Sequence, residues 1–159
     1  MQIDRLGRHR HWIPTLARWQ FDYWGPLTGF DTLEQYVAAL EEWSIGEAIP
    51  TVLVAFDGTG LAGSVSLRRS EMENRPALTP WLAQLFVAPG RRGGGIGGAL
   101  VAAAIAHAGR CGFGTLYLFT SGTLPEYYSR LGWVELERVA YLGKVRAVMQ
   151  YHVSMADGC

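Results

Sequence analysis

The stretch LFVAPGRRGGGIGGAL, residues 85–100, joins an apolar run to an alanine-rich run through six glycines and two arginines. The apolar residues 81–87 predict a strand, and the alanine-rich residues 97–110 predict a helix. At such a junction the first amides of the helix have no backbone partner and lie at the positive end of the helix dipole. Glycines there remove the side chains that would block an incoming phosphate. The stretch therefore indicates an anion-binding loop.

The rest of the chain divides into short helices and strands without a linker or an internal repeat. A Thr32-x-x-Gln35 capping box opens one helix, and Pro14 opens an earlier helix that ends before Gly25. The remaining predicted elements are a short strand over 2–6, a hairpin of strands 50–56 and 61–69, a loop over 70–80, a strand over 115–120, a short helix over 124–131, and closing strands over 133–142 and 145–153. This alternation predicts one mixed α/β domain over residues 1–159.

The composition is that of a globular protein. Of its 159 residues 49% are hydrophobic and 18% are charged, and the formal net charge is zero. Because phosphate binding along a polymer needs a basic face, a nucleic-acid partner is disfavoured. Residues 1–14 are polar and lack the apolar core of a signal peptide, and the longest apolar run, ALVAAAIA, is too short to span a bilayer.

The cysteines and histidines argue against a disulfide-stabilised protein and against a metal site. The two cysteines, Cys111 and Cys159, cannot form a disulfide framework, and no cysteine or histidine spacing fits a metal site. The sequence therefore predicts a reduced, cytoplasmic protein with no membrane partner and no metal.

Two nucleotide-binding readings of the glycine run can be tested against the sequence. Gly93-x-Gly95-x-x-Gly98 formally satisfies a dinucleotide fingerprint, which also requires an acidic residue about 20 positions further on, at the end of the next strand. That strand ends in LFTS, residues 118–121, with no carboxylate. No Gly-Lys-Ser/Thr follows the run, so a Walker loop is excluded.

Two motifs together resemble the GNAT superfamily of N-acetyltransferases, which transfer acetyl from acetyl-CoA to amines. The stretch 85–100 is similar to motif A, whose Gln/Arg-x-x-Gly-x-Gly/Ala pattern is met by Arg92, Gly95 and Gly97. Downstream, YYSRLGW, residues 127–133, resembles the aromatic-Tyr-x-x-Leu-Gly-aromatic segment of motif B. The two motifs are separated by one helix and one strand, which is the order of the family.

The resemblance implies a fold for the whole domain. Residues 50–153 would form the CoA-binding and catalytic core, and residues 1–46 the family's variable N-terminal strand and helices. A central, mostly antiparallel sheet flanked by helices would splay between strands 81–87 and 115–120, where a bulge in the first strand opens a V-shaped slot. Dimers are common in the superfamily, so the resemblance is compatible with a homodimer.

Acetyl-CoA is the co-substrate that the resemblance implies. Its pyrophosphate would lie on main-chain amides at the start of the helix, with pantetheine along the preceding strand. The implied cofactor-binding residues are Leu85, Phe86, Val87, Arg91, Arg92, Gly93, Gly94, Gly95, Ile96, Gly97, Gly98 and, after strand 115–120, Ser121. The two arginines could equally be solvated, and Ser121 stands where many relatives have Asn.

Tyr128 takes the position of the family's tyrosine that protonates the departing CoA thiolate. A phenol beside a thioester can donate a proton as charge develops on sulfur. Packing of the short helix is the other role for an aromatic residue here, and Tyr127 fits that role better. The general base stays open: strand 81–87 carries no Glu or His, so the candidates are Glu71, Glu73 or a water chain.

The resemblance implies a primary amine of a small molecule or a peptide as the acceptor. Its pocket would lie among the N-terminal helices, the loop 70–80 and the last hairpin. The candidate pocket residues are Trp24, Glu71, Glu73 and Trp81, with Trp19 and Tyr141 as further aromatic walls. The leading hypothesis is an N-acetyltransferase acting by direct attack of the amine. The alternative is a non-catalytic acyl-CoA-binding regulatory module, which the lack of a base on strand 81–87 favours.

Overall fold

A computed structural model describes residues 1–153 as a seven-stranded sheet with helices on both faces. The strands are β1 (Gln2–Arg5), β2 (Thr51–Asp57), β3 (Gly60–Arg68), β4 (Trp81–Val87), β5 (Thr115–Thr120), β6 (Val134–Tyr141) and β7 (Lys144–His152). The helices are α1 (Ile13–Trp24), α2 (Leu33–Trp43), α3 (Ile96–Arg110) and α4 (Leu124–Arg130), with short 3₁₀ turns between some elements. Every predicted helix and strand is present, with ends that differ by one or two residues. Cys159 lies outside the described residues.

The sheet has the order β1-β2-β3-β4-β5-β7-β6. All of its neighbouring strands are antiparallel except β4 and β5, which are parallel. The predicted mixed α/β domain with a mostly antiparallel sheet is therefore confirmed. No helix within residues 1–153 is long and apolar enough to cross a membrane.

The two faces of the sheet carry separate cores, which explains the continuous apolar run in β2. Val52 and Val54 pack with α1 and α2, whereas Leu53 and Ala55 pack with α3 on the opposite face. Because successive side chains of a strand alternate between faces, a strand buried on both sides has no polar positions.

Helix α2 begins at the predicted capping box. The Thr32 hydroxyl accepts from the Gln35 amide at 3.2 Å, and the Gln35 side chain accepts from the Thr32 amide at 3.3 Å. A buried polar chain then ties both N-terminal helices to β3: the Tyr36 hydroxyl donates to Gln20, whose side-chain nitrogen donates to the Ser64 hydroxyl at 2.8 Å. This chain fixes α1 over the sheet beside β4.

The splay predicted between strands 81–87 and 115–120 is present. The only registered pair between β4 and β5 is Trp81 with Tyr117, whose amide donates to the carbonyl of Pro80 at 3.1 Å. Beyond this point the two strands diverge.

A bulge in β4 accompanies the divergence. Along β3 the register advances from Ser64 to Ser66, whereas on β4 it moves from Phe86 to Ala83, so β4 carries one extra residue. Within this bulge Gln84 has a φ of 56°, a conformation that a non-glycine residue rarely adopts. The backbone of β4 therefore turns away from β5 at Gln84.

Candidate functional site

A groove of about 450 Å³ lies where β4 leaves β5. Its walls come from the end of β4, the glycine loop, the first turn of α3, and α4. Ten of the predicted cofactor-binding residues line it: Leu85, Phe86, Val87, Arg91, Arg92, Gly93, Gly95, Ile96, Gly97 and Gly98. Gly94 lies in an adjoining depression on the other side of the loop. The fold thus brings the glycine loop and the edge of β4 into one groove.

Backbone conformation and available space both favour glycine in this loop. Gly93 has a φ of 84°, in the left-handed region that favours glycine. Gly95 is the N-cap of α3 and has a φ of 82°, so a side chain there would be strained. A Cβ on Gly97 would stand 3.1 Å from the Tyr127 hydroxyl and 3.8 Å from Val87, partly filling the groove. No side chain caps the first turn of α3, so its amides are left for a ligand.

The two arginines of the loop have different partners. The Arg91 guanidinium forms an ion pair with Asp57 at the end of β2, and one of its nitrogens donates to the hydroxyl of Thr59, in the following turn, at 3.0 Å. Arg91 and Thr59 together hold the pKa of the Asp57 carboxyl well below its usual range. Arg91 therefore fastens the glycine loop to the segment that joins β2 and β3 while also lining the groove.

Arg92 is more exposed than Arg91 and turns back over the groove. Its Nε donates to the Val87 carbonyl at 3.0 Å, and its guanidinium lies 5.2 Å from the centre of the Tyr23 ring. These contacts leave the charge of Arg92 beside the start of α3, where it can add to the field of the helix dipole.

Tyr128 faces the groove from α4 and is almost fully buried, between the rings of Tyr127 and Trp133. Burial raises the pKa of its phenol far above the ordinary value of 10. The group consequently stays protonated at neutral pH and can act as a hydrogen-bond donor. Tyr127 also lines the groove, with its hydroxyl beside Gly97.

A second, smaller pocket of about 240 Å³ opens on the other side of the bulge. Gln84 lines this pocket, whereas Leu85, the next residue, lines the groove. Trp24 and Glu71 are the predicted acceptor-pocket residues that line it. The remaining walls are Leu27, Thr28, Arg68, Leu82, Ala83, Phe119, Leu142 and Arg146.

Three sequence-predicted site residues lie elsewhere. Trp81 is fully buried and donates its Nε1 proton to the Leu78 carbonyl, so it is a core residue and not a pocket wall. Glu73 is exposed at the loop surface and does not line the pocket. Ser121 is absent from the groove; its hydroxyl accepts from Arg146 at 3.5 Å, on the side of the smaller pocket.

Charged groups of both signs face the smaller pocket. Burial raises the pKa of the Glu71 carboxyl, and this rise is opposed by Arg68, whose guanidinium lies 3.8 Å from it. Arg146 donates its Nε proton to the Tyr141 carbonyl at 3.0 Å. Tyr141 also contacts the loop that carries Glu71, since its hydroxyl lies 3.5 Å from the Glu71 carbonyl.

Gln84 and Arg146 also line the smaller pocket, and the sequence analysis did not select either as a pocket residue. The Oε1 atom of Gln84 is buried and has no hydrogen-bond partner within residues 1–153. A buried polar atom without a partner is costly, so Oε1 of Gln84 is a candidate contact for a water molecule or a ligand. No sequence signal identifies the residue at which a strand bulges, whereas Arg146 could have been suspected as a charge between the apolar residues Val145 and Ala147 of a strand.

Comparison with known proteins agrees with this geometry. A family model described as an acetyltransferase (GNAT) domain matches residues 48–135, more than half of the chain. The chain therefore belongs to the GNAT acetyltransferases and is an acyltransferase. No curated protein sequence matches it significantly.

Solved structures share the fold at low identity. An aminoglycoside 6'-N-acetyltransferase complexed with coenzyme A is 18% identical with a TM-score of 0.74, covering 96% of this chain and 97% of that one. An aminoglycoside 6'-acetyltransferase type Ii is 21% identical with a TM-score of 0.73 over the same shares of the two chains. A chimera of the Vibrio cholerae spermidine N-acetyltransferase is 15% identical with a TM-score of 0.71, covering 96% of each chain.

Proposed function

We propose that the protein is an N-acetyltransferase that transfers the acetyl group of acetyl-CoA to a primary amine of a small molecule or a peptide by direct attack. The observation that carries this proposal is the bulge in β4. At the bulge, Leu85 lines the groove and its neighbour Gln84 lines the smaller pocket, so consecutive residues of one strand line the two cavities. A donor in the groove and an acceptor in the pocket would meet there.

The groove fits coenzyme A by its shape and its hydrogen-bonding groups. Gly93, Gly95 and Gly97 leave bare backbone at the start of α3, which suits a pyrophosphate. Between residues 82 and 87 the β4 backbone has no registered partner on the β5 side, so its amides and carbonyls can bind pantetheine as an added strand would. The proposed cofactor-binding residues are therefore the ten that line the groove, and Ser121 is not among them.

Acetyl-CoA supplies an activated thioester whose carbonyl carbon is attacked by the amine. In that step the nitrogen–carbon bond forms, the carbon–sulfur bond breaks, and the thiolate leaves with the electron pair. Tyr128 is the proposed donor to this sulfur, because its buried phenol keeps its proton at neutral pH and faces the groove.

The amine must lose a proton before or during its attack. Glu71 is the proposed acceptor of that proton, since it is the one carboxylate of residues 1–153 that lines the smaller pocket. Its burial makes it more basic than an ordinary carboxyl group. The names of two solved relatives, an aminoglycoside and a spermidine acetyltransferase, support an amine acceptor.

Thiol release from acetyl-CoA across a panel of primary amines tests the proposal. We expect turnover that falls in Tyr128→Phe without a change in the affinity for CoA, measured by calorimetric titration. Tyr127→Phe is the matched control, because it removes the neighbouring hydroxyl from the same helix. CoA binding without turnover of any amine would instead favour an acyl-CoA-binding regulatory module, and failure to bind CoA would reject the assignment of the groove.

A further inference from the structure

The charges around the smaller pocket restrict the acceptor. Among residues 1–153, two arginines, Arg68 and Arg146, and one carboxylate, Glu71, line it, so these residues give the pocket a formal excess of one positive charge. A substrate that is only a cation would gain one attractive partner and meet two repulsive ones. Polycations such as polyamines or aminoglycosides are therefore poorly matched to this lining.

Arg146 is the more informative of the two arginines. None of the ion pairs among residues 1–153 involves it, although it is partly buried. Its nitrogens contact the Tyr141 carbonyl and the Ser121 hydroxyl, and its guanidinium lies 5.7 Å from the centre of the Phe119 ring. These contacts hold the guanidinium in place without neutralising its charge. An arginine held in this way is preorganised to bind an anion.

Arg68 is held in a similar way. Its guanidinium lies 3.9 Å from the centre of the Trp43 ring, and its distance of 3.8 Å to Glu71 is too long for a hydrogen-bonded ion pair. Part of its hydrogen-bonding capacity therefore stays available to a ligand.

Hydrogen-bond acceptors also line the pocket. Gln84, with its unpartnered Oε1, lies at the bulge, and the Glu71 carboxylate lies 3.8 Å from the Arg68 guanidinium. Both oxygens can accept from an ammonium or amine group, so the pocket offers acceptors as well as two guanidinium groups. Its volume of about 240 Å³ is below the range of roughly 300–1,000 Å³ for pockets that hold drug-sized ligands.

On the basis of the proposed acetyl transfer, we infer that the acceptor is a small amine that also carries an anionic group, a carboxylate or a phosphate. Arg146 and Arg68 bind the anionic group, and Glu71 and Gln84 receive the amine. An amino acid or an amine bearing a phosphate fits this description.

Matched substrate pairs test the inference. The kcat/KM for thiol release is compared for phenylalanine and phenethylamine, for β-alanine and ethylamine, and for phosphoethanolamine and ethanolamine, with spermidine as the polycation. We expect the anionic member of at least one pair to be favoured about tenfold to a hundredfold, as is usual for charge-assisted hydrogen bonds. The carboxylate pairs and the phosphate pair distinguish the two anion chemistries.

Three variants assign the effect to Arg146. In Arg146→Gln the preference within the favoured pair should disappear through a higher KM for the anionic member, while Arg146→Lys should retain most of it. Arg138→Gln is the matched control, since Arg138 pairs with Ala147 across the hairpin and therefore lies on the opposite face from Arg146. We expect it to leave the preference unchanged.

The same measurements separate failure of the inference from failure of the proposed function. The inference would be overturned, and acetyl transfer left standing, if spermidine and the amines without an anionic group were turned over as well as the anionic amines or better, both in wild type and in Arg146→Gln. If no amine is turned over, calorimetric titration of the same pairs into the CoA complex tests the inference. Binding of the anionic member that is lost in Arg146→Gln would support it, and absence of such binding would reject it.

Discussion

Trp81 of β4 is paired with Tyr117 of β5, and beyond this pair the two strands separate into a fork, the splay described above. Trp81 itself is fully buried between the sheet and the loop that carries Glu71, and it donates to the Leu78 carbonyl. The indole thus fixes the closed end of the fork. The groove and the smaller pocket both open beyond it.

Removal of the Tyr128 hydroxyl should lower turnover and leave folding intact. We expect Tyr128→Phe to reduce kcat about tenfold to a hundredfold, at the lower end of general-acid contributions because a thiolate is a good leaving group. Within residues 1–153 no hydrogen bond of the Tyr128 hydroxyl is observed, so the melting temperature should change little. If Tyr128→Phe and Tyr127→Phe had equal kcat values, the proposed role of Tyr128 as the general acid would be contradicted.

The raised pKa of Tyr128 also predicts the alkaline side of the pH profile. Because burial favours the neutral phenol, it stays protonated through the alkaline range in which an exposed tyrosine ionises. The kcat should therefore not fall between pH 8 and about pH 10, the range below the ordinary tyrosine pKa. A decline of kcat within that range, present in wild type and absent in Tyr128→Phe, would show that the phenol ionises early.

We expect Glu71 to support catalysis but to lower the stability of the folded protein at neutral pH. Its pKa is raised by burial, so the folded protein binds more protons than the unfolded chain between the ordinary and the raised pKa. The stability contribution of this group is therefore largest at low pH and is lost as the pH rises through that interval. Glu71→Gln should consequently raise the melting temperature at neutral pH and flatten its dependence on pH.

The same substitution should impair catalysis. We expect kcat/KM to fall at least about tenfold in Glu71→Gln and to lose its acid limb, because the proton acceptor is gone. Glu73→Gln is the control, since Glu73 is exposed and lies outside the pocket. An equal loss in both variants would point to a general effect of loop charge.

The left-handed conformation at Gly95 should make this position intolerant of a side chain. Gly95→Ala places a Cβ at a φ of 82°, which costs about 1–2 kcal/mol if the loop keeps its shape. We expect the KM for acetyl-CoA to rise about tenfold as the loop relaxes. Gly90→Ala, at a position in the same loop with open space and no positive φ, should behave as wild type in the same assay.

Arg91 and Asp57 allow direct binding and loop fastening to be distinguished. If Arg91 acts by holding the glycine loop on the β2–β3 turn, Asp57→Asn should raise the KM for acetyl-CoA by the same factor as Arg91→Gln, about fivefold or less for an exposed pair. The double variant should then add nothing. An increased affinity in Asp57→Asn would mean that the freed guanidinium binds the phosphates itself.

Much of the fold could be predicted from local sequence patterns. The capping box at Thr32 and the strand–glycine–helix order at residues 85–100 each have a local physical cause, so both were recognised in the correct place. The fork itself was expected only through the resemblance. Nothing in the letters WLAQLFV shows that Gln84 adopts a positive φ.

The acceptor side was less predictable, because it is assembled from distant segments. Trp81 and Glu73 were selected by their nearness in sequence to the expected active site, but strand alternation turns Trp81 into the core and the loop leaves Glu73 at the surface. Arg146 reaches the pocket from the last strand through the register of β5 with β7. Such long-range placement has no signature in a single sequence.

The single registered pair between β4 and β5 has a mechanical consequence. By backbone hydrogen bonding the molecule consists of two half-sheets, β1–β4 and β5–β7, joined at one end of their seam. A pantetheine chain bonded to the free edge of β4 would brace that seam. Hydrogen exchange at residues 84–87 should then slow on addition of CoA. The co-substrate would in that case stabilise the domain by linking its two half-sheets.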